Sequence, residues 1–154
     1  MRAVAGFALC AWLALTSACG GGSGGTGGAS ATGTGGAAAC VPDLNLGCSP
    51  LYPASFDQIY SRTLHKTCAA SGSACHATAG NQGGLAFDDP DTAYALLLGT
   101  QGGRARVIAK DPACSVLVER LELPSPKQQM PPGNPLSAAE RCAIEQWIEN
   151  GAVR

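Results

Sequence analysis

The sequence predicts a small, mainly α-helical domain with long proline- and glycine-rich loops, set behind an export signal and a flexible linker. Three observations carry this reading. Apolar residues recur at helical spacing in four stretches beyond residue 40, clusters of proline and glycine separate those stretches, and no segment shows the alternation of a half-buried strand.

At the N-terminus, Met1-Arg2 gives a short positive start and residues 3–15 are an uncharged apolar run. A bilayer span needs about 20 apolar residues. The run is shorter than that, and it reads as a signal peptide. It closes on Leu15-Thr16-Ser17-Ala18-Cys19, which resembles a bacterial lipobox cleaved before Cys19, with Thr16 where leucine is more usual. Residues 1–18 are therefore expected to be removed and Cys19 to carry the lipid. An ordinary signal peptide cut near Ala18 is the alternative, and both export the chain. The linker, residues 19–39, holds only Gly, Ser, Thr and Ala after Cys19. Such a stretch buries too little surface to offset its ordering entropy, so it is expected to be a flexible tether. Gly20 in place of aspartate after the anchored cysteine points to the outer membrane by the usual bacterial sorting pattern.

Residues 40–154 have the length of one ordinary domain. The formal net charge is −1, and without a basic stripe there is no electrostatic footprint for nucleic acid. Ser55 with Gln58 reads as a capping box, and Phe56, Ile59, Tyr60, Thr63, Leu64 and Thr67 then form one stripe, so the first helix is expected from about Phe56 to Thr67. After a break at Gly72 and again from Gly80 to Gly84, Asp89-Pro90 gives an N-cap with proline at the first helical position. Tyr94, Leu97 and Leu98 supply that helix's apolar side, and Gly99 ends it. Asp111-Pro112 repeats the start signal, with Ala113, Leu117 and Leu121 on one face of a third helix. Pro124, Pro126, Pro131, Pro132 and Pro135 forbid regular structure in the next loop. Ser137 with Glu140 is a second capping box, and Ile144, Trp147, Ile148 and Gly151 line the inner face of the last helix.

Of the eight cysteines, Cys10 leaves with the signal and Cys19 goes to lipid. Cys40, Cys48, Cys68, Cys75, Cys114 and Cys142 remain, an even set in an exported chain, which points to disulfides whose pairing sequence alone does not decide. Cys114 and Cys142 are expected to bridge the third and last helices, and Cys40 and Cys48 to pair within the opening segment. Cys68 and Cys75 are open to a local disulfide, to zinc together with His76, or to other chemistry.

That other chemistry is suggested by the order of parts. A helix is followed by Cys68 and Cys75-His76, then by intermediate helices, the loop Met130-Pro131-Pro132-Gly133 and a last helix ending Trp147-Ile148-Glu149-Asn150-Gly151-Ala152. This arrangement, from about Phe56 to Ala152, resembles the c-type cytochrome domain. The resemblance implies a cytochrome c-like fold holding haem c. In that family two thiols bond the haem, the adjacent histidine ligates iron, and a methionine closes the other axial position. Carried over by position, His76 is the proximal ligand, Met130 the distal ligand, and Cys75 a thioether, with Cys68 standing for the second. Val116, Leu117, Leu121, Ile144, Trp147 and Ile148 would form dry walls. The sequence departs from the family motif in one respect: six residues separate Cys68 from Cys75, where Cys-x-x-Cys-His has two.

The function implied is single-haem electron transfer at the cell envelope, with an unidentified redox protein as partner. A haem-free, disulfide-stapled structural module of the same fold is the alternative. Two histidines and scattered carboxylates offer no nucleophile beside a base, so no enzymatic chemistry is expected. Asp88-Asp89-Pro90-Asp91 suggests calcium, but helix capping accounts for it. His65, opposite Phe56 on the first helix, is expected to face solvent.

Overall fold

The computed structural model describes residues 40–69, 75–123 and 128–154. The signal peptide, Cys19, the linker, Gly72, Pro124 and Pro126 lie outside the described residues. The fold is mainly helical, as the sequence predicts. Among the described residues no helix is long and apolar enough to cross a membrane.

The first helix starts where expected, but without the expected cap. Ser55 is extended (φ −125°, ψ 150°) and its side chain makes no capping hydrogen bond. The Ser55 carbonyl accepts Ile59 N–H at 3.0 Å, the first helical bond. Helix α1 (Phe56–Ile59) runs directly into a π-helix (Tyr60–Cys68), closed at its end by Ala69 N–H bonding Leu64 O five residues back at 2.9 Å. A π-turn takes one more residue than an α-turn, and such turns concentrate at functional sites. Here Thr63 and Leu64, neighbours in sequence, are both buried alongside Phe56 and Ile59, and Cys68 comes to rest against the core. The buried Thr63 hydroxyl is satisfied by Tyr52 OH.

Helix α2 (Pro90–Leu97) follows its local signals: Asp89 accepts the Thr92 N–H at 2.8 Å and Pro90 opens the first turn. Its buried side is Ala93 and Leu97, whereas Leu98, expected on that side, sits at the C-cap and is 46% exposed. A short antiparallel hairpin then pairs β1 (Thr100–Gln101) with β2 (Arg104–Ala105) through Gly102 and Gly103, both at positive φ. Two residues per strand are too few for an alternation to show in the sequence.

The third helix departs from expectation at its start. Asp111-Pro112 makes a turn: Asp111 Oδ1 accepts Cys114 N–H at 3.1 Å, and its carbonyl accepts Ser115 Oγ–H at 2.8 Å. Helix α3 (Val116–Glu122) begins only after Ser115, so Ala113 and Cys114 precede it. Helix α4 (Ala138–Glu149) has the full capping box: Ser137 Oγ accepts Glu140 N–H, and the Glu140 carboxylate accepts Ser137 N–H at 2.9 Å.

Packing centres on Trp147 of α4, whose ring lies 5.8 Å from Phe56 of α1 and 6.5 Å from Tyr94 of α2. Phe56 and Tyr94 meet edge to face at 5.0 Å. The polar ends of the two amphipathic rings are used on the C-terminus. Trp147 Nε1–H donates to Val153 O at 2.7 Å, and Tyr94 OH to Ala152 O at 3.0 Å.

Cys40, Cys48, Cys114 and Cys142 are all disulfide-bonded, but the expected pairing is corrected. The bonds are Cys40–Cys114 and Cys48–Cys142. The opening segment lies across the domain and does not fold on itself. Val41 N–H bonds Ala113 O at 2.9 Å, which sets Cys40 beside Cys114. Gln146 Nε2 holds the carbonyls of Leu46 and Cys48 at 3.1 and 2.9 Å, which sets Cys48 over α4 beside Cys142. The bonds span 74 and 94 residues, and longer loops constrain the unfolded chain more.

Next to the second staple, Glu145 of α4 is only 4% exposed. Burial, then a hydrogen bond and charge from Glu122, push its carboxyl up to about 7, against the pull of Arg141. Arg141 in turn ion-pairs with Glu122.

Replacing Cys48 and Cys142 together by serine is expected to lower the free energy of unfolding by about 2–4 kcal/mol, read by urea titration at pH 7. A second expectation concerns Glu145. Its pKa is raised in the fold, so its contribution is fully present below the unfolded value of 4.5 and is lost as pH rises through about 7. Glu145→Gln should therefore flatten the fall in stability between pH 5 and 8 and gain at least about 1 kcal/mol at pH 8. Parallel stability curves for the two proteins would contradict this.

Candidate functional site

The π-helix, the loop after it, α3, the Met130 loop and α4 converge on one mostly apolar cavity of about 220 Å³. From the π-helix come Thr63, Leu64, Thr67 and Cys68; from the loop Cys75, His76, Gln82, Leu85 and Phe87. Val116, Leu117 and Leu121 of α3 and Ile144 of α4 form the wall predicted for them, and Met130, Pro131 and Pro132 close another side. Trp147 and Ile148, also predicted as walls, do not line the cavity. They are buried in the core, where Trp147 packs on Phe56 and Tyr94.

His76 is held from four directions. Its N–H donates to Cys68 O at 3.2 Å, and its carbonyl accepts Phe87 N–H at 2.7 Å. Its ring lies 5.5 Å from that of Phe87, and its Nδ1 is 3.0 Å from Gln82 O. A carbonyl only accepts, so Nδ1 carries the proton. Protonation at Nδ1 is the tautomer that places the lone pair on Nε2, as a metal-ligating imidazole needs, and the ring is also bonded to the Leu85 backbone. Burial lowers the pKa below 6.5, with the hydrogen bonds to the loop backbone opposing, so the ring is neutral at neutral pH.

The His76–Cys68 bond bears on the spacing of the thiols. In Cys-x-x-Cys-His the histidine N–H is four positions past the first cysteine's carbonyl, the α-helical relation. Here the same two backbone groups bond across eight positions. Cys68 and Cys75 are free thiols, which removes the local disulfide considered from sequence. Their environments differ. Cys75 is exposed, whereas desolvation, with smaller contributions from Cys75 and Glu140, pushes the Cys68 thiol up to about 12.

The loop that carries His76 is braced at its far end by Asp88, which accepts Thr78 Oγ1–H at 2.7 Å as well as the Thr78 N–H. These bonds hold the Asp88 carboxyl below the ordinary carboxylate range. Asp88 and the helix cap Asp89 are thus both engaged. Among the described residues no three His, Cys, Asp or Glu side chains converge as a metal held by the protein alone requires, and neither the zinc nor the calcium reading gains support. Met130 is anchored by its N–H to Arg120 O at 2.7 Å. His65 is exposed, as expected, with Nδ1 3.2 Å from Phe87 O.

Sequence reasoning missed the polar lining residues Gln82, Gln101, Arg106 and Arg120. No spacing marks them, because they come from a turn, a hairpin and a helix brought together only by the fold. Leu85 and Phe87 were missed as well, and their alternation in Gly84-Leu85-Ala86-Phe87-Asp88 was the one available signal.

The family model described as Planctomycete cytochrome C matches residues 73–134. The match supports a cytochrome c-like domain. It takes in Cys75-His76 at one end and Met130-Pro131-Pro132 at the other, and begins after Cys68. No curated protein and no solved structure matches the chain.

In protein made without haem, Cys75 is expected to react with a maleimide at pH 8 roughly tenfold faster than Cys68, since the thiolate is the reacting form. Peptide mass mapping after a timed quench reads the two rates, and equal labelling would contradict the contrast between the sites.

Proposed function

We propose that this protein is a single-haem electron carrier of the cell envelope, tethered by lipid at Cys19 and exchanging electrons with a redox protein partner. The observation that carries the reading is the convergence of His76, Met130, Cys75 and Cys68 on one apolar cavity. The residues fit haem c by their chemistry. His76 is an imidazole whose pKa burial lowers and whose Nδ1 is held by Gln82 O, Met130 offers a thioether sulfur, and Cys75 is an accessible thiol. Haem, when bound, supplies a one-electron iron couple, and His/Met ligation raises its potential.

The chain's own residues do the rest. Gln82 O fixes the imidazole tautomer, and Phe87 packs on the ring and limits its rotation. The Met130 backbone bond to α3 positions the distal loop. Leu64, Leu117, Leu121 and Ile144 give the cavity an apolar wall that would keep water from a bound haem. Cys75 would carry the covalent link, and Cys68, half-buried and with a thiol pushed up to about 12, would be dispensable for it. Anchoring in the outer membrane and the absence of bond-changing catalysis belong to the same proposal. A haem-free, stapled envelope module is the second reading, favoured by the six-residue spacing and by two long-range disulfides that hold the fold without a cofactor.

The full chain exported into a periplasm with haem-attachment machinery is expected to be red, with a Soret band that survives acid-acetone extraction. Cys75→Ala should lose the covalent pigment, Cys68→Ala should keep it, and Met130→Ala should keep it at a lower reduction potential. Colourless protein whose intact mass shows two disulfides and no haem decides for the stapled module.

A further inference from the structure

Glu145 is a buried acid whose hydrogen-bond partner is another acid. It stands on α4 at 4% exposure, and no other carboxyl side chain among the described residues is buried. The side chain of Glu122 on α3 bonds to it. Ionised carboxylates only accept, so this bond exists only while one of the two holds a proton. Glu122 is already the ion-pair partner of Arg141, so the shared proton belongs to Glu145.

The pair stands between the candidate haem cavity and water. Leu121 of α3 and Ile144 of α4 line the apolar cavity with His76 and Met130. Glu122 and Glu145 are the next residue of each helix, and they line a separate cleft of about 270 Å³ between α3, α4 and the opening segment. Asp43 and Asn45 of that segment line the same cleft and are exposed, so water in it can exchange a proton with Glu145. The charged groups that face Glu145 are Glu122 from α3, Arg141 from its own helix and Asp43 from the opening segment. Arg141 is committed to Glu122 and, through Nη1, to Leu136 O at 2.6 Å. Ionised Glu145 therefore has no cation of its own among the described residues.

We infer that Glu145 is the site at which the domain takes up a proton when the group in its cavity is reduced. The inference rests on the haem reading and adds to it a coupling of electron to proton. Burial first, then Glu122, raises the Glu145 carboxyl to about 7, so both of its forms are present at neutral pH. A charge change behind one layer of apolar side chains is less screened than one at the surface. Reduction brings one electron from the redox partner into the cavity and removes one positive charge from it. In molecules that hold Glu145 ionised, its carboxylate then takes a proton from water in the cleft, and the new O–H donates to Glu122. Oxidation returns the electron to a partner and the proton to water. By linkage, the proton on Glu145 favours reduction as much as reduction favours the proton.

The test is the reduction potential of the full chain, exported and loaded with haem, measured against pH by redox titration of the Soret spectrum. Reduction is expected to tighten proton binding at Glu145 at least about threefold. The potential should therefore fall by at least about 28 mV between about pH 5 and pH 9, at about 59 mV per tenfold. Glu145→Gln should keep the pigment and lose this fall, and Glu122→Gln, which frees Arg141 for Glu145, should move it to lower pH. The infrared difference spectrum of wild type on reduction at pH 7 should gain a protonated-carboxyl band that Glu145→Gln lacks. Should Glu145→Gln not fold, judged by circular dichroism, the infrared spectrum and Glu122→Gln decide. A fall that persists unchanged in Glu145→Gln, or a wild-type potential independent of pH, overturns the assignment of Glu145 while leaving the haem reading standing. Protein without haem overturns the haem reading, and this inference with it.

Discussion

The site depends on the short turn Gln82–Gly84, a 3₁₀ element without a buried residue of its own. Its consecutive carbonyls receive the imidazole of His76 from one side and the guanidinium of Arg106 from the other. The turn is possible only for glycine. Gly83 and Gly84 have φ of 63° and 69°, a region that costs other residues strain. A Cβ at Gly83 would also press within 3.0 Å of the Gln101 side chain. One loop of poor regular structure thereby fixes the orientation of both residues, and a loop made rigid by hydrogen bonds to its carbonyls behaves as part of the scaffold.

Around that loop the fold is assembled by contacts distant in sequence. The aromatic contact of Phe56, Tyr94 and Trp147 joins three helices, and the two disulfides tie the opening segment to the approach to α3 and to α4. Helix α1 is a single turn and α3 about two, lengths that do not persist on their own in water. Their stability comes from tertiary packing, and the staples on Cys114 and Cys142 act next to α3 and within α4, two of the elements that wall the cavity.

How much of this was legible in the sequence follows from the range of each interaction. The caps of α2 and α4 were read correctly because Asp89 and Ser137 act within three residues. The Ser55 cap failed although its residues match the pattern: Ser55 has the extended N-cap backbone and accepts the first helical bond, but its side chain makes no capping hydrogen bond. Asp111-Pro112 carries the same signal as Asp89-Pro90, yet Ser115 Oγ bonds both back to Asp111 O and forward from Ile108 N–H, and this tertiary tie holds a turn where a helix would start. The cysteine partners were beyond reach for the same reason, being set by Val41 and Gln146 on other parts of the chain. The placing of His76 and Met130 at one cavity was legible through motif order, while their ligand roles belong to the proposal. The place of Arg106 in the lining was not legible, because only the fold brings the hairpin to the cavity.

The six residues between the thiols take on a different meaning once the fold is known. The short family motif sets histidine under the iron because one helical turn places its N–H on the first cysteine's carbonyl. In this chain His76 N–H reaches the Cys68 carbonyl at 3.2 Å, so the same two backbone positions are bonded across the longer spacing. The π-helix contributes by ending at Cys68, with that carbonyl free of an intrahelical partner and directed to His76. The two thiols are presented differently, Cys68 half-buried and Cys75 exposed, while a backbone bond holds His76 to Cys68. The backbone position of His76 and the accessibility of the two thiols are thus set by different contacts in this domain.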